Sequence, residues 1–278
     1  MTRRIDAHQH FWRLQRGDYG WLTPDLAPIH RDFEPDDLAP MLRRHGIAGT
    51  ILVQAAPTVA ETEFMLDLAV RHAFIEGVVG WVDFEAKDAP ERIAELAARP
   101  KLKGLRPMIH DIADPRWMLR PDLAPAFEAM IAHGLVFDAL VRPQHLPYLA
   151  ELVGRYPELR VVIDHCAKPD IAAGGLPGWA RDIAAVAAAG TVCCKLSGLV
   201  TEAGANPSAG ALAPYVNHVI SVFGPSRMIW GSDWPVVTLA ASYEVWLAQA
   251  QDLVAQLPEA EIAAIFGGNA IRTYGLRE

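Results

Sequence analysis

Two histidines one residue apart, His8 and His10 in Arg4-Ile5-Asp6-Ala7-His8-Gln9-His10-Phe11-Trp12, are the first residues whose type and spacing suggest chemistry. On a β-strand alternate side chains share a face, so Asp6, His8 and His10 are expected on one side and Ile5, Ala7 and Gln9 on the other. A third histidine ends the run Val161-Val162-Ile163-Asp164-His165, and an aspartate, Asp233, follows Ile229-Trp230-Gly231-Ser232. Brought together, His8, His10, His165 and Asp233 form a donor set for one Zn²⁺, which takes nitrogen and oxygen ligands near ~2.0 to 2.2 Å and brings bound water to a pKa near ~7. That is the equipment of a mononuclear hydrolase.

The elements that must position these groups follow one rhythm. With the histidine stretch, the apolar runs Thr50 to Gln54, Gly77 to Val82, Leu102 to Ile109, Leu135 to Val141, Arg160 to Asp164, Thr191 to Leu196 and Arg227 to Trp230 read as eight strands. Between them lie segments of helical period such as Thr62 to Ala73, Pro90 to Ala98 and Leu123 to His133, stopped by His45-Gly46, Arg99-Pro100, His133-Gly134, Tyr156-Pro157 and Gly224-Pro225. Strand then helix, eight times, predicts an α/β protein, a (β/α)8 TIM barrel forming a single domain over residues 1–278. An open doubly wound sheet would carry a Gly-rich phosphate loop after its first strand, where Gln9-His10-Phe11-Trp12-Arg13 stands instead. Longer loops, Phe11 to Glu34, His110 to Pro121, Cys166 to Trp179 and Gly198 to Pro207, are expected to build the site at the C-terminal face. In a closed barrel the first strand neighbours the eighth, so His8, His10 and Asp233 can meet, with His165 reaching in from two strands further round.

Composition excludes other classes. A chain of 278 residues that is 51% hydrophobic and 21% charged fills a large core, and a net charge of -8 with no Lys/Arg run beyond two argues against nucleic acid as a partner. No apolar run approaches a membrane span and no signal peptide is legible, so no membrane partner and a cytoplasmic location are expected. Cys166, Cys193 and Cys194 form no CxxC and suggest neither disulfides nor a thiolate site. The G-x-S-x-G elbow of a serine hydrolase is absent, and on a strand Cys166 would point away from its neighbour His165.

Substrate contacts are expected from Arg106 and His110 at the mouth of the fourth strand, from Lys195 at the end of the seventh, and from Trp12, Trp21, Trp81 and Trp234 as flat apolar walls for a ring. A dicarboxylate would call for several arginines, and only Arg106 and Arg142 are well placed. Asp6 reads as a group orienting an imidazole, whereas Asp138 and Asp164, each inside a strand, are expected to serve folding more than turnover.

The motifs DAHQHFW, GLRP (Gly104 to Pro107), VIDHCAKP (Val162 to Pro169), KLSGL (Lys195 to Leu199) and WGSDWP (Trp230 to Pro235) resemble the amidohydrolase superfamily over the whole chain and in order. Within it they are most similar to the branch of sugar lactonases of the L-fuconolactone and L-rhamnonolactone type, whose relatives open carboxylated lactones of the muconolactone or pyrone dicarboxylate kind or act as decarboxylases. The resemblance implies His8, His10, His165 and Asp233 as the catalytic and metal-binding residues. The bridging Lys or Glu and the fifth-strand His of binuclear members are replaced by Arg106 and Asp138, which implies one divalent metal, zinc by its donor set, in a branch whose members differ in whether activity requires it. The implied reaction is hydrolysis of a cyclic ester, with Asp233 taking the proton of the attacking water. The alternative of another class is a barrel that binds a ligand without turning it over.

Overall fold

Short runs rich in Val and Ile suit a pleated surface and are too short for helices. In the computed structural model, which describes residues 3–204 and 207–277, they form β1 (Arg4–Gln9), β2 (Ile47–Val53), β3 (Ile75–Gly80), β4 (Leu102–Leu105), β5 (Val136–Ala139), β6 (Arg160–Ile163), β7 (Val192–Leu196) and β8 (Met228–Trp230). Between and after them run α1 (Pro35–His45), α2 (Val59–Arg71), α3 (Ala89–Ala97), α4 (Ala124–Ala132), α5 (Leu146–Arg155), α6 (Leu176–Ala189), α7 (Leu199–Glu202), α8 (Ala209–Phe223), α9 (Tyr243–Leu253), α10 (Glu259–Ala263) and α11 (Asn269–Tyr274). Each strand pairs in parallel with the next in chain order. The sheet curls until its ends meet: the Asp233 N–H donates to His8 O (2.8 Å) and the His10 N–H to Trp234 O (2.7 Å), making a nearly closed (β/α)8 barrel. Of the loop expected from Gly198 to Pro207, residues 205 and 206 lie outside the described residues, and its first part is helical as α7. No helix among the described residues is long and apolar enough to cross a membrane.

Inside the barrel Ile5, Ala7, Ile51, Val53, Val79, Val136, Val162 and Ile229 pack as one buried cluster, joined from below by Ala270, Tyr274 and Leu276. The opposite strand faces pack against the helices in the larger core.

Two local irregularities set the geometry of the site. Along β1, Asp6 pairs with Thr50 but Gln9 with Leu52, so three steps on one strand match two on the other. This bulge breaks the strict alternation expected from the sequence. Ile5 and Ala7 face the lumen, Asp6 faces α9, and beyond the bulge His8 and His10 turn inward. The second irregularity follows β6, where the expected strand stops at Ile163. His165, Cys166, Ala167 and Lys168 have φ of 53°, 50°, 60° and 48°, a left-handed turn in residues that all carry a Cβ. Alternation therefore does not govern this segment. Cys166 points into the core rather than the cavity that His165 lines, with its thiol donating to Lys195 O at 3.3 Å.

Candidate active site

Three imidazoles converge on one carboxylate at the C-terminal end of the barrel. The Nε2 atoms of His10, His8 and His165 lie 3.3, 3.7 and 3.9 Å from Asp233 Oδ1. The far side of each ring is held. His10 Nδ1 donates to Val53 O (2.7 Å), His165 Nδ1 meets Ser197 Oγ (2.9 Å), and His8 Nδ1 lies against the ion pair of Asp164 (3.4 Å) and Lys195 (3.2 Å). Because a carbonyl only accepts, His10 Nδ1 carries a proton, and Nε2 is the nitrogen that faces the carboxylate.

Burial governs the charges. It pushes His8 and His165 well below the ordinary histidine value, leaving both neutral. Burial would raise the Asp233 carboxyl, but His165 and His10 outweigh it and hold the group below the usual carboxylate range. Neutral imidazoles beside an ionised carboxylate are the protonation states a metal requires of its ligands. Tetrahedral ligands ~2.0 to 2.1 Å from a zinc-sized ion stand roughly 3.3 to 3.5 Å apart, close to the spacing found here. Ligand atoms of His8, His165 and Asp233 all lie within 4.8 Å of one another. The arrangement fits a divalent metal.

Above this cluster opens a cavity of about 220 Å³ lined by His10, His165 and Asp233 together with Trp21, Arg106, His110 and Lys168. Arg106 is fixed by Asp164 (3.1 Å) and by Gln54 O, and its Nη1 reaches His8 Nε2 at 3.3 Å. Burial and the cations Lys168, Arg106 and Arg142 push His110 down to about 3, so it is neutral across the physiological range. Trp21 donates from its indole to Ala55 O (2.7 Å), and Ala55 is itself held by Glu61, which accepts from the N–H groups of Ala55 (3.0 Å) and Ala56 (2.7 Å). Burial pushes the Glu61 carboxyl up to about 7.

Other expected site residues stand elsewhere. Trp12 is fully buried, packed on Tyr19, Trp21 and Phe33, with its indole donating to Arg31 O at 2.8 Å; once β1 has ended the chain carries it away from the cavity. Trp234 is likewise buried, against Phe11 and Phe33. Both are core residues rather than walls of the cavity. Trp81 lines a neighbouring cleft of about 510 Å³, which shares Trp21, Met108 and Asp111 with the cavity. Lys195 is fully buried beneath the site, bonded to Asp138 and 3.0 Å from Asp164, so it reaches the cavity only through His8. Asp6 does not touch an imidazole; it accepts from the backbone N–H of His8 (3.2 Å) and Ser232 (2.8 Å) and from the Tyr243 hydroxyl (3.2 Å), tying β1 to the loop after β8.

Sequence reasoning missed Asp164, Lys168 and Glu61. Asp164 sits between Arg106, Lys195 and His8 rather than in a purely structural place, and the cations Lys195 and Arg106, with His8 beside them, overcome burial to hold it well below the carboxylate range. Nothing local in VIDHCAKP announces the left-handed turn that admits both Asp164 and Lys168. Glu61 stands three residues after Thr58, the spacing of a helix start, and Thr58 does cap α2 by accepting the Glu61 N–H at 3.0 Å.

Comparison with known proteins agrees with this geometry. Residues 5–276 match the profile of a family described as amidohydrolase. The chain is 50% identical to an L-fucono-1,5-lactonase of Burkholderia ambifaria, over 99% of this chain and 96% of the relative. It is 38% identical to an L-fucono-1,5-lactonase of Burkholderia multivorans, over 99% and 97%. A crystal structure of an amidohydrolase from Burkholderia multivorans with bound zinc superposes with a TM-score of 0.94 at 36% identity, covering 99% of this chain and 100% of that one.

Proposed function

The chain belongs to the amidohydrolase family, and on that premise we propose that it hydrolyses a sugar lactone, L-fucono-1,5-lactone, to the open aldonic acid. The observation that carries this reading is an ionised Asp233 among three imidazoles on the floor of a cavity of about 220 Å³, the scale of one small ring. The identity to two lactonases over nearly the whole chain supports it.

In this reading Asp233 takes a proton from water held against His8, His10 and His165, and the oxygen attacks the ring carbonyl. The proton then passes to the ring oxygen as the ester bond breaks. His110 Nδ1 and Arg106 Nε are buried without a hydrogen-bond partner among the described residues, and both residues line the cavity. They serve hydroxyl oxygens of the substrate. Trp21 offers a flat apolar wall to the ring. A bound divalent ion, zinc by the nitrogen and oxygen donor set of His8, His10, His165 and Asp233, would polarise the carbonyl and lower the pKa of water there. We place the reaction in the cytoplasm, in keeping with three free thiols.

The test is a pH-indicator assay on purified protein with neutral aldonolactones and with pyrone dicarboxylate. Neutral sugar lactones should be preferred by about tenfold or more in kcat/KM, because the cavity offers a dicarboxylate too few cations for differential binding. The reverse order would overturn the assignment.

A further inference from the structure

The left-handed turn after β6 is unusual because residues with a Cβ visit this conformation singly rather than in runs. Here four do so in succession, His165 to Lys168. The turn is pinned by buried hydrogen bonds: Lys168 N–H to His165 O (2.8 Å), the Trp179 indole to Cys166 O (2.7 Å) and the Cys166 thiol to Lys195 O (3.3 Å). Its effect is a sorting of side chains. Cys166 and Ala167 enter the core, whereas His165 and Lys168 both line the cavity that holds Asp233. Backbone strain of this kind persists where surrounding structure enforces it, and it concentrates at functional sites.

Lys168 has no role in the chemistry so far described. Its ammonium is held 2.8 Å from Glu202 of α7, and its side chain is 17% exposed. An ammonium has three N–H donors, and Glu202 is the hydrogen-bond partner of one. The positive field of Lys168 reaches Asp233, His165 and His110. Arg106, the other lining cation, is already committed to Asp164 and Gln54.

We propose that Lys168 contacts the substrate, its ammonium receiving the negative charge that grows on the lactone carbonyl oxygen and remains as the carboxylate of the product. The proposal rests on the lactonase reading above. Water adds to the carbonyl carbon, the bond from that carbon to the ring oxygen breaks, and the ring oxygen leaves as a hydroxyl with the proton relayed by Asp233. The new acid gives its remaining proton to solvent, so an anion stands where a neutral ester stood. Glu202 is a positioning residue that aims the ammonium.

Calorimetric binding of L-fuconate and of the uncharged L-fucitol, alongside turnover of the lactone, tests this with Lys168→Met, Lys168→Arg and Glu202→Gln. Lys168→Met should weaken L-fuconate binding by about tenfold or more, the size of one lost charge-assisted hydrogen bond, and lower kcat/KM similarly. L-fucitol binding should stay unchanged, Lys168→Arg should restore most of the L-fuconate affinity, and Glu202→Gln should fall between. Unaltered L-fuconate binding in Lys168→Met, or an equal loss of L-fucitol binding, would overturn the proposal. Turnover by the wild-type protein tests the lactonase reading and the binding pair tests Lys168, so either can fail without the other.

Discussion

A carboxylate surrounded by imidazoles can act as a base only while it keeps its charge, and Asp233 does so because its neighbours outweigh its burial. Asp233→Asn keeps the shape and removes the proton acceptor, so kcat should fall by ~10² to 10⁴-fold while the unfolding midpoint barely moves. Asp164→Asn should behave differently. It would leave Lys195 and Arg106 buried without their shared carboxylate, costing about 3 to 5 kcal/mol of stability as well as turnover. Urea unfolding and initial rates on the two variants separate the roles; equal stability losses would contradict them. At this scale the sequence made four groups legible, because histidines and an aspartate at the ends of apolar runs stand out against their neighbours. Asp164 and Lys168 were hidden by the assumption that period-two alternation continues to His165.

Strands and helices were legible to within a few residues, since both arise from the periodicity of apolar side chains. Neither the β1 bulge nor the left-handed turn leaves such a trace, for each is a matter of backbone register decided by contacts far along the chain. Gly231, between β8 and Asp233, shows how tight that register is: a Cβ built there would lie 2.6 Å from His8 Cβ and 3.0 Å from His8 N. Gly231→Ala should therefore fold but push β1 away from the loop carrying Asp233, lowering kcat by roughly 10²-fold, the penalty of about an ångström of misplacement. An Ala variant with wild-type kcat would show that the spacing between β1 and the loop after β8 does not limit catalysis.

For the whole molecule, stability should carry the signature of Glu61, a carboxyl buried where the wall of the cavity meets α2. Burial raises its folded value to about 7 from 4.5, so the folded state holds this proton more tightly than the unfolded chain. The resulting stabilisation is fully present below the unfolded value and is lost as pH rises through the folded one, amounting to roughly 3 kcal/mol between pH ~4 and ~8. Glu61→Gln should flatten that part of the curve of unfolding free energy against pH. A variant whose curve runs parallel to the wild type would show that Glu61 is ionised throughout. The barrel itself was readable from the eightfold repeat of strand and helix, but not its floor: the Tyr274 hydroxyl donates to Asp138 (2.9 Å), Asp138 binds Lys195, and Lys195 lies against His8.

That floor has a consequence for how the protein is made. β1 carries His8 and His10 and precedes the other strands, yet its open edge is satisfied by residues 233 and 234, and the lumen beneath it is stoppered by Tyr274 of α11, well over two hundred residues further along the chain. Most of the barrel can gather as translation proceeds. The catalytic pocket cannot, because the floor beneath β1 waits for α11, which follows all eight strands in the chain. A barrel lacking α11 would keep a nearly complete β/α scaffold, yet Asp138, Lys195 and, through them, His8 would lose the Tyr274 hydroxyl that closes the floor.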